Sequence, residues 1–281
     1  MNILTTPRED YKRWADKKLA GFTNKIDDLI VEIADPAKLK EVELGQMLEI
    51  MRMHNLVFFQ INQQDDEKSL IKALASKMGM GNYEHDSRSD KDGLTEIRVH
   101  NEDHSSKEYI PYTCKNLKWH TDGYYNDSSN SILAWLLYCR EQSKSGGINK
   151  FIDHEIVYIL YNQMNKNILD LMCDDAYEIP KNNLNQRDKV KNSVFSFNDG
   201  ILNMKYSMRE RNIIWNKQSK SSSNLLKQII NQSERYHIVH KLKPGQGVVT
   251  NNVIHMRTSF TNSLNKNRIL YRLRSKKRVG Y

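Results

Sequence analysis

The chain has 281 residues, 38% hydrophobic and 27% charged, which is enough for one sizeable core but too polar for a membrane-embedded protein. Its longest apolar run, Ile132 to Cys139, falls well short of the ~18 residues a membrane-spanning helix needs. Lys and Arg total 43 against 34 acidic residues, a net charge of +9. The lysines run the whole length of the chain among many asparagines, so a compositional habit is favoured over nucleic-acid binding, which the charge still leaves open. Cys114, Cys139 and Cys173 are widely spaced and form no CxxC, which argues against a disulfide framework or thiolate zinc site and fits a reducing cytoplasm. The start, MNILTTPREDYKRW, lacks the basic, apolar and small-residue order of a signal peptide.

Residues 8–20 and 37–53 carry helical spacing, the latter through Leu39, Val42, Met47, Leu48 and Met51. Leu56 to Ile61 reads as a buried strand. Asp65 and Asp66 precede a helix over 69–78 that stops at Gly79 and Gly81. Residues 96–100 alternate as a strand, and 101–118 form a polar loop of the kind that serves as an active-site lid. Strands are expected at 119–124, 131–139 and 149–152, a helix at 154–174, and a second polar loop at 180–193. Strands follow at 194–198 and 201–207, then a helix at 223–232. The end is strand-rich, at 235–242, 247–250, 252–260 and 268–274, with a turn at Pro244, Gly245 and Gly247. No internal repeat is present. The pattern predicts a mostly β fold with flanking helices, a double-sheet jelly roll in one domain over 1–281. Its parts would be a helical stretch of about 1–53, a core of about 54–275 and a basic tail at 276–281. The densest basic run, Arg272 to Arg278, would be either a solvated end or a device that steers anions.

Chemistry concentrates in Trp119-His-Thr-Asp-Gly123. In a strand, residues i and i+2 share a face, so His120 and Asp122 can chelate one ion side by side. A third histidine from a distant strand would complete the two-histidine, one-carboxylate facial set of non-haem Fe(II) oxygenases. His255 suits that place: it follows a tight glycine turn, and Arg268 lies on the next strand, where a guanidinium can grip a carboxylate. Other candidates are weaker. His100 and His104 could form a loop chelate, but a polar lid is favoured. His237 and His240, three apart in a strand, would face opposite sides. His54, His85 and His154 lack ligand partners in sequence. Arg257 shares a strand face with His255 and would either line the pocket or form a structural ion pair. Of Tyr124 and Tyr125, one at most would line the site. Trp119 and the 131–139 run read as packing, and Gly146-Gly147 is too short for a phosphate loop.

Four segments together resemble the taurine dioxygenase-like family of Fe(II)/2-oxoglutarate oxygenases, relatives of clavaminate synthase and γ-butyrobetaine hydroxylase. They are Leu56 to Gln60, Trp119 to Tyr125, Gly146 to Asp153, and Asn252 to Phe260 followed by Arg268. The resemblance implies that His120, Asp122 and His255 bind Fe(II), and that Arg268 and Asn149 hold the far carboxylate of 2-oxoglutarate. Asn149 stands where many members have Thr, and Asn251 where Asp is common. Arg272 matches a position that binds an anionic group of the substrate, with Tyr124 and Arg257 as further lining. The implied reaction consumes O2 and 2-oxoglutarate, releases succinate and CO2, and hydroxylates an unactivated C–H bond of a small anionic metabolite such as an amino acid or sulfonate. Asp122 argues against halogenation, which uses a site lacking the carboxylate. Desaturation, ring closure, a macromolecular substrate and a non-catalytic binding role remain as alternatives.

Overall fold

The computed structural model describes residues 8–62, 66–85, 89–99, 110–164, 167–181, 188–264 and 266–280. Helix α1 (Arg8–Ala20) precedes β1 (Ile30–Ile33), α2 (Glu41–His54), β2 (Leu56–Ile61), α3 (Glu67–Lys77) and β3 (Thr95–Ile97). Next come β4 (Leu117–His120), β5 (Ala134–Glu141), β6 (Ser145–Gly146), β7 (Asn149–Ile152) and α4 (His154–Gln163). A peripheral group follows, with β8 (Tyr177–Ile179), β9 (Val190–Asn192), β10 (Phe195–Asn198), β11 (Ile201–Met204), β12 (Ile214–Trp215) and α5 (Ser219–Gln232). The chain ends in β13 (Ile238–His240), β14 (Gln246–Thr250), β15 (Ile254–Arg257), β16 (Phe260–Thr261) and β17 (Ile269–Ser275).

The major sheet has the order β1-β2-β14-β5-β17-β3 and the minor sheet β13-β7-β15-β4. Every pairing within them is antiparallel except β1 with β2. Strand β5 shows why its sequence is apolar on both faces. Trp135, Leu137 and Cys139 point inward and pack with Phe58, Val248, Leu270 and, from the minor sheet, Phe151 and Ile238. Leu136 and Tyr138 point outward, onto Met47 and Met51 of α2 and Ile71 and Leu74 of α3. A third cluster covers the back of the minor sheet, where Ile152 and Ile254 meet α4, α5 and the peripheral strands. The two sheets thus close face to face as a jelly roll, with helices outside. No helix among the described residues is long and apolar enough to cross a membrane.

The structure departs from the sequence reading at several places. Residues 30–33, within the expected helical stretch, form β1 and extend the major sheet. The 154–174 helix ends at Gln163; a short 3-10 turn, Ile168–Leu171, follows, capped by the Asn167 side chain. The 119–124 strand stops at His120. The 180–193 segment contains a strand, β9, while 182–187, residues 101–109 of the first expected lid, and His100 at the end of the expected 96–100 strand lie outside the described residues, as does His104. Small strands β8 and β12 escaped notice because two or three residues carry too little periodicity. The basic run is not a solvated end. Arg274 is buried against Glu84 at 2.6 Å, and Arg278 donates to Asn55 Oδ1 at 2.6 Å and to the Leu202 carbonyl at 3.2 Å.

A buried ionic knot locks α1 to the barrel. Lys18 Nζ lies 2.7 Å from Asp153 and 2.5 Å from Glu155, and Asp153 also accepts Asn55 Nδ2 and caps α4. Asn251 extends it: its side chain bonds Asn55 Oδ1 and the Val279 carbonyl.

Several buried histidines are held neutral. Burial takes His54 down to about 4, and burial also lowers His154 and His237. Unfolding returns each to about 6.5, so the unfolded chain binds more protons below that pH. Stability is therefore full above about 6.5 and falls as pH drops toward the folded values. Urea unfolding of the metal-free protein should show a lower midpoint at pH 5 than at pH 7; an equal or higher midpoint would contradict this account.

Candidate active site

Antiparallel pairing of β15 with β4 sets His255 directly across from His120. Their rings approach to a centroid distance of 4.2 Å. Each ring is oriented from behind: His120 Nδ1 sits 2.8 Å from the Lys118 carbonyl, and His255 Nδ1 sits 3.1 Å from the Val253 carbonyl. Donation from Nδ1 leaves the lone pair on Nε2, the atom that faces the cleft. Both Nε2 atoms lie 3.7 Å from the same oxygen of Asp122. One ligand atom from each residue falls within 4.8 Å of the others, so the three can hold a metal ion.

Asp122 does not reach this place as a strand residue. It stands in the turn after β4, and Asn252 holds it there. Asn252 Oδ1 accepts the Asp122 amide at 2.8 Å, while Nδ2 donates to the Asp122 carbonyl at 3.0 Å and the Ile132 carbonyl at 2.7 Å. Asn252 adopts a left-handed backbone, φ 56°, which asparagine tolerates better than most residues. Its side chain is the positioning device that the sequence reading missed, although it lies inside the segment carrying the family resemblance. Trp135 was also missed; its ring packs 4.6 Å from that of His255.

Electrostatics prepare the group for a cation. Burial alone would raise the Asp122 carboxyl, but Arg272 foremost, with His255, Arg274 and His120, brings it down to about 2. Arg272 Nη1 lies 3.5 Å from Asp122 Oδ2. Burial lowers His120, and burial followed by the neighbouring His120 takes His255 to about 3. At neutral pH the site thus presents two neutral imidazoles and one carboxylate, the protonation states a metal requires.

Further along the inner face, Arg268 is 5% exposed, and burial lowers it to about 10. No carboxylate pairs with it among the described residues; its guanidinium lies 5.1 Å over the Phe260 ring. Arg268 and Asn149 line one small cleft with Gly147 and Leu270, and buried Asn149 Nδ2 has no acceptor. Two donors without an anion in one cleft match the ends of a carboxylate. The step from Ile269 to Leu270 carries a register shift against β5 whose additional residue lies on β5, so alternation along β17 continues. Leu270 joins the inner cluster, Tyr271 and Leu273 the outer one.

Two expected lining residues are placed differently. Tyr124 packs in the cluster behind the minor sheet, because the chain turns after His120 and strand alternation ends there. Tyr125 packs beside the same cluster, its ring 5.2 Å from that of Tyr124, and its hydroxyl accepts from Arg274 Nη1 at 3.1 Å. Arg257 pairs with no carboxylate among the described residues. It donates to the carbonyls of Pro111, Thr113 and Lys115, pinning the end of the first expected lid, and stacks 4.8 Å over Phe260. His237 and His240 bond the Ile230 carbonyl and Gln246 side chain and lie outside the site.

The chain matches the family model described as "Taurine catabolism dioxygenase TauD, TfdA family" over residues 16–274. No curated protein matches it in sequence. Among solved structures, the non-heme iron oxygenase OrfP with Fe, succinate and (3S)-hydroxy-L-Arg superimposes with a TM-score of 0.65 at 11% identity, covering 96% of this chain and 93% of that one. Asparagine oxygenase with Fe(II), 2S,3S-3-hydroxyasparagine and succinate gives 0.59 at 9% identity, covering 98% and 92%. A taurine dioxygenase from Burkholderia xenovorans gives 0.56 at 15% identity, covering 88% and 87%. At such identities these likenesses speak to the fold.

Replacing Asn252 by Ala strands the buried amide and carbonyls it satisfies. Asn252→Ala should lower stability by about 2 kcal/mol, the scale of a buried unsatisfied group, read from denaturant unfolding of the metal-free protein.

Proposed function

The chain belongs to the TauD, TfdA family of Fe(II)- and 2-oxoglutarate-dependent dioxygenases, and from that premise we propose that it hydroxylates a C–H bond of a small anionic metabolite, an amino acid being the first class to test. In this reading His120, Asp122 and His255 hold Fe(II), Arg268 and Asn149 hold the far carboxylate of 2-oxoglutarate, and Arg272 receives the anionic group of the substrate. The observation that carries it is the cationic inner wall beside the triad: buried Arg268 with no carboxylate partner among the described residues, and Arg272 at 3.5 Å from Asp122. An iron-bound Asp122 would share its charge with the metal, and the Arg272 guanidinium beside it would add a positive field for a substrate anion. The hydroxylated amino acids bound to OrfP and to asparagine oxygenase support the substrate class.

Bound Fe(II) with 2-oxoglutarate supplies the oxidising chemistry: O2 is reduced, 2-oxoglutarate becomes succinate and CO2, and one oxygen atom enters the substrate C–H bond. The chain's own residues supply geometry. Carbonyls 118 and 253 keep both imidazoles in the tautomer that presents Nε2. Asn252 fixes the carboxylate-bearing turn, and Trp135, Phe151 and Leu137 keep water from the inner wall.

Protein loaded with Fe(II) should form succinate from 2-oxoglutarate, faster with the matching amino acid, and His255→Ala should abolish this. Failure of the iron-loaded protein to bind 2-oxoglutarate would remove the proposal. The two arginines should separate kinetically. Arg268→Met should raise the KM for 2-oxoglutarate at least tenfold, whereas Arg272→Met should chiefly raise the KM for the amino acid, about the factor lost with one charge-assisted hydrogen bond.

A further inference from the structure

We propose that Lys205 is a positioning residue for the metal carboxylate, acting through the turn that carries Asp122; this rests on the reading of His120, Asp122 and His255 as the iron ligands. The turn leaves β4 and belongs to no sheet; Gly123 O accepts the Asn126 amide, and the carbonyls that follow draw on side-chain donors. Tyr124 O accepts from Tyr177 Oη at 2.8 Å and Asn192 Nδ2 at 3.4 Å. Asn126 O accepts from Asn192 Nδ2 and from Lys205 Nζ, both at 3.0 Å, and Asp127 O accepts from Lys205 Nζ at 3.0 Å. The third proton of the ammonium goes to Asn192 Oδ1 at 3.0 Å. All three donors of Lys205 are thereby used, two on the turn and one on the asparagine that holds the same turn.

The turn is therefore gripped at both ends. Asn252 holds Asp122 itself, and Lys205 with Asn192 holds the far side, five residues on at Asp127. This matters because the carboxylate has two competing partners. One oxygen is equidistant from the two imidazole nitrogens, at 3.7 Å, and the other lies 3.5 Å from Arg272. A turn free at its far end lets Asp122 close onto Arg272 as a paired carboxylate, an arrangement that withdraws it from the metal. Lys205 also carries the strain of its place: burial brings it down to about 8, opposed by Asp127, so the site accepts a partly desolvated ammonium to keep the turn fixed.

The test uses the full chain and Co(II), whose visible absorption reports ligand geometry, without 2-oxoglutarate. Lys205→Met should weaken Co(II) binding by about tenfold, within the range for residues that orient metal ligands, and alter the absorption of the bound ion. Lys205→Arg, which retains charge and several donors, should regain most of the affinity. Asn192→Ala loosens the same clamp from its other side, so it should shift Co(II) affinity in the same direction and covers the case in which Lys205→Met does not fold. Wild-type affinity and absorption in folded Lys205→Met, with only a lowered unfolding temperature, would overturn the proposal and leave Lys205 a stabilising residue alone. His255→Ala separates the two levels: if it binds Co(II) like the wild type, the ligand assignment fails, whereas lost binding there with intact binding in Lys205→Met refutes only the role of Lys205.

Discussion

His255 stands across from His120 because β15 and β4 are hydrogen-bonded neighbours in the minor sheet, and the rest of the site is arranged around that pairing. Histidines from distant parts of the chain become adjacent through backbone ladder bonds, which hold their Cα positions without help from the side chains. The side chains are then aimed by their own strands, each Nδ1 facing the carbonyl two residues back. The carboxylate has no such support. It sits past the end of β4, where Asn252 must supply what a ladder would have supplied. A metal site assembled this way is rigid on its imidazole side and depends on side-chain hydrogen bonds on its carboxylate side.

Charge follows the same division. The inner wall of β17 and the residue before it carry Arg268, Arg272 and Arg274; Asp122 lies beside Arg272 and Glu84 pairs with Arg274. Burying a guanidinium without a carboxylate partner, as at Arg268 among the described residues, is unfavourable. Arg274 is satisfied internally by Glu84 and Tyr125, so it shapes the wall. Arg268, beside the unpartnered Asn149 donor, offers the clearer place for a carboxylate. Arg272 foremost, with His255, Arg274 and His120, presses the Asp122 carboxyl against the effect of burial to about 2, which keeps it ionised at neutral pH.

The outer layers anchor the site from behind. Tyr177 in β8, Asn192 in β9 and Lys205 after β11 all donate to the turn that bears Asp122. The peripheral strands, of which β8 and β9 are too short to read as elements, thus reach the candidate site through three side chains. The C-terminal run contributes similarly: Lys276 bonds Asn130 and Arg278 bonds Asn55, tying the end of the chain to the segment just past the Asp122 turn and to the Asp153 knot.

The sequence by itself determined the jelly roll and pointed to three residues that the fold brings within reach of one metal ion. Strands such as Leu56–Ile61 and Ala134–Glu141 are apolar on both faces because they are covered on both, and that pattern is local. His120, Asp122, His255 and Arg268 were legible because motif order survives in one dimension. Which face each side chain took was a different matter. Strand alternation predicted His120 and Asp122 as same-face neighbours, and they do converge, but through a turn whose shape Asn252 dictates from 130 residues away. The same turn sent Tyr124 to the back of the sheet and Tyr125 to Arg274, and carbonyls at 111–115 captured Arg257. Only the tertiary structure could decide these, since side-chain bonds to backbone groups far along the chain leave no periodic trace in the sequence.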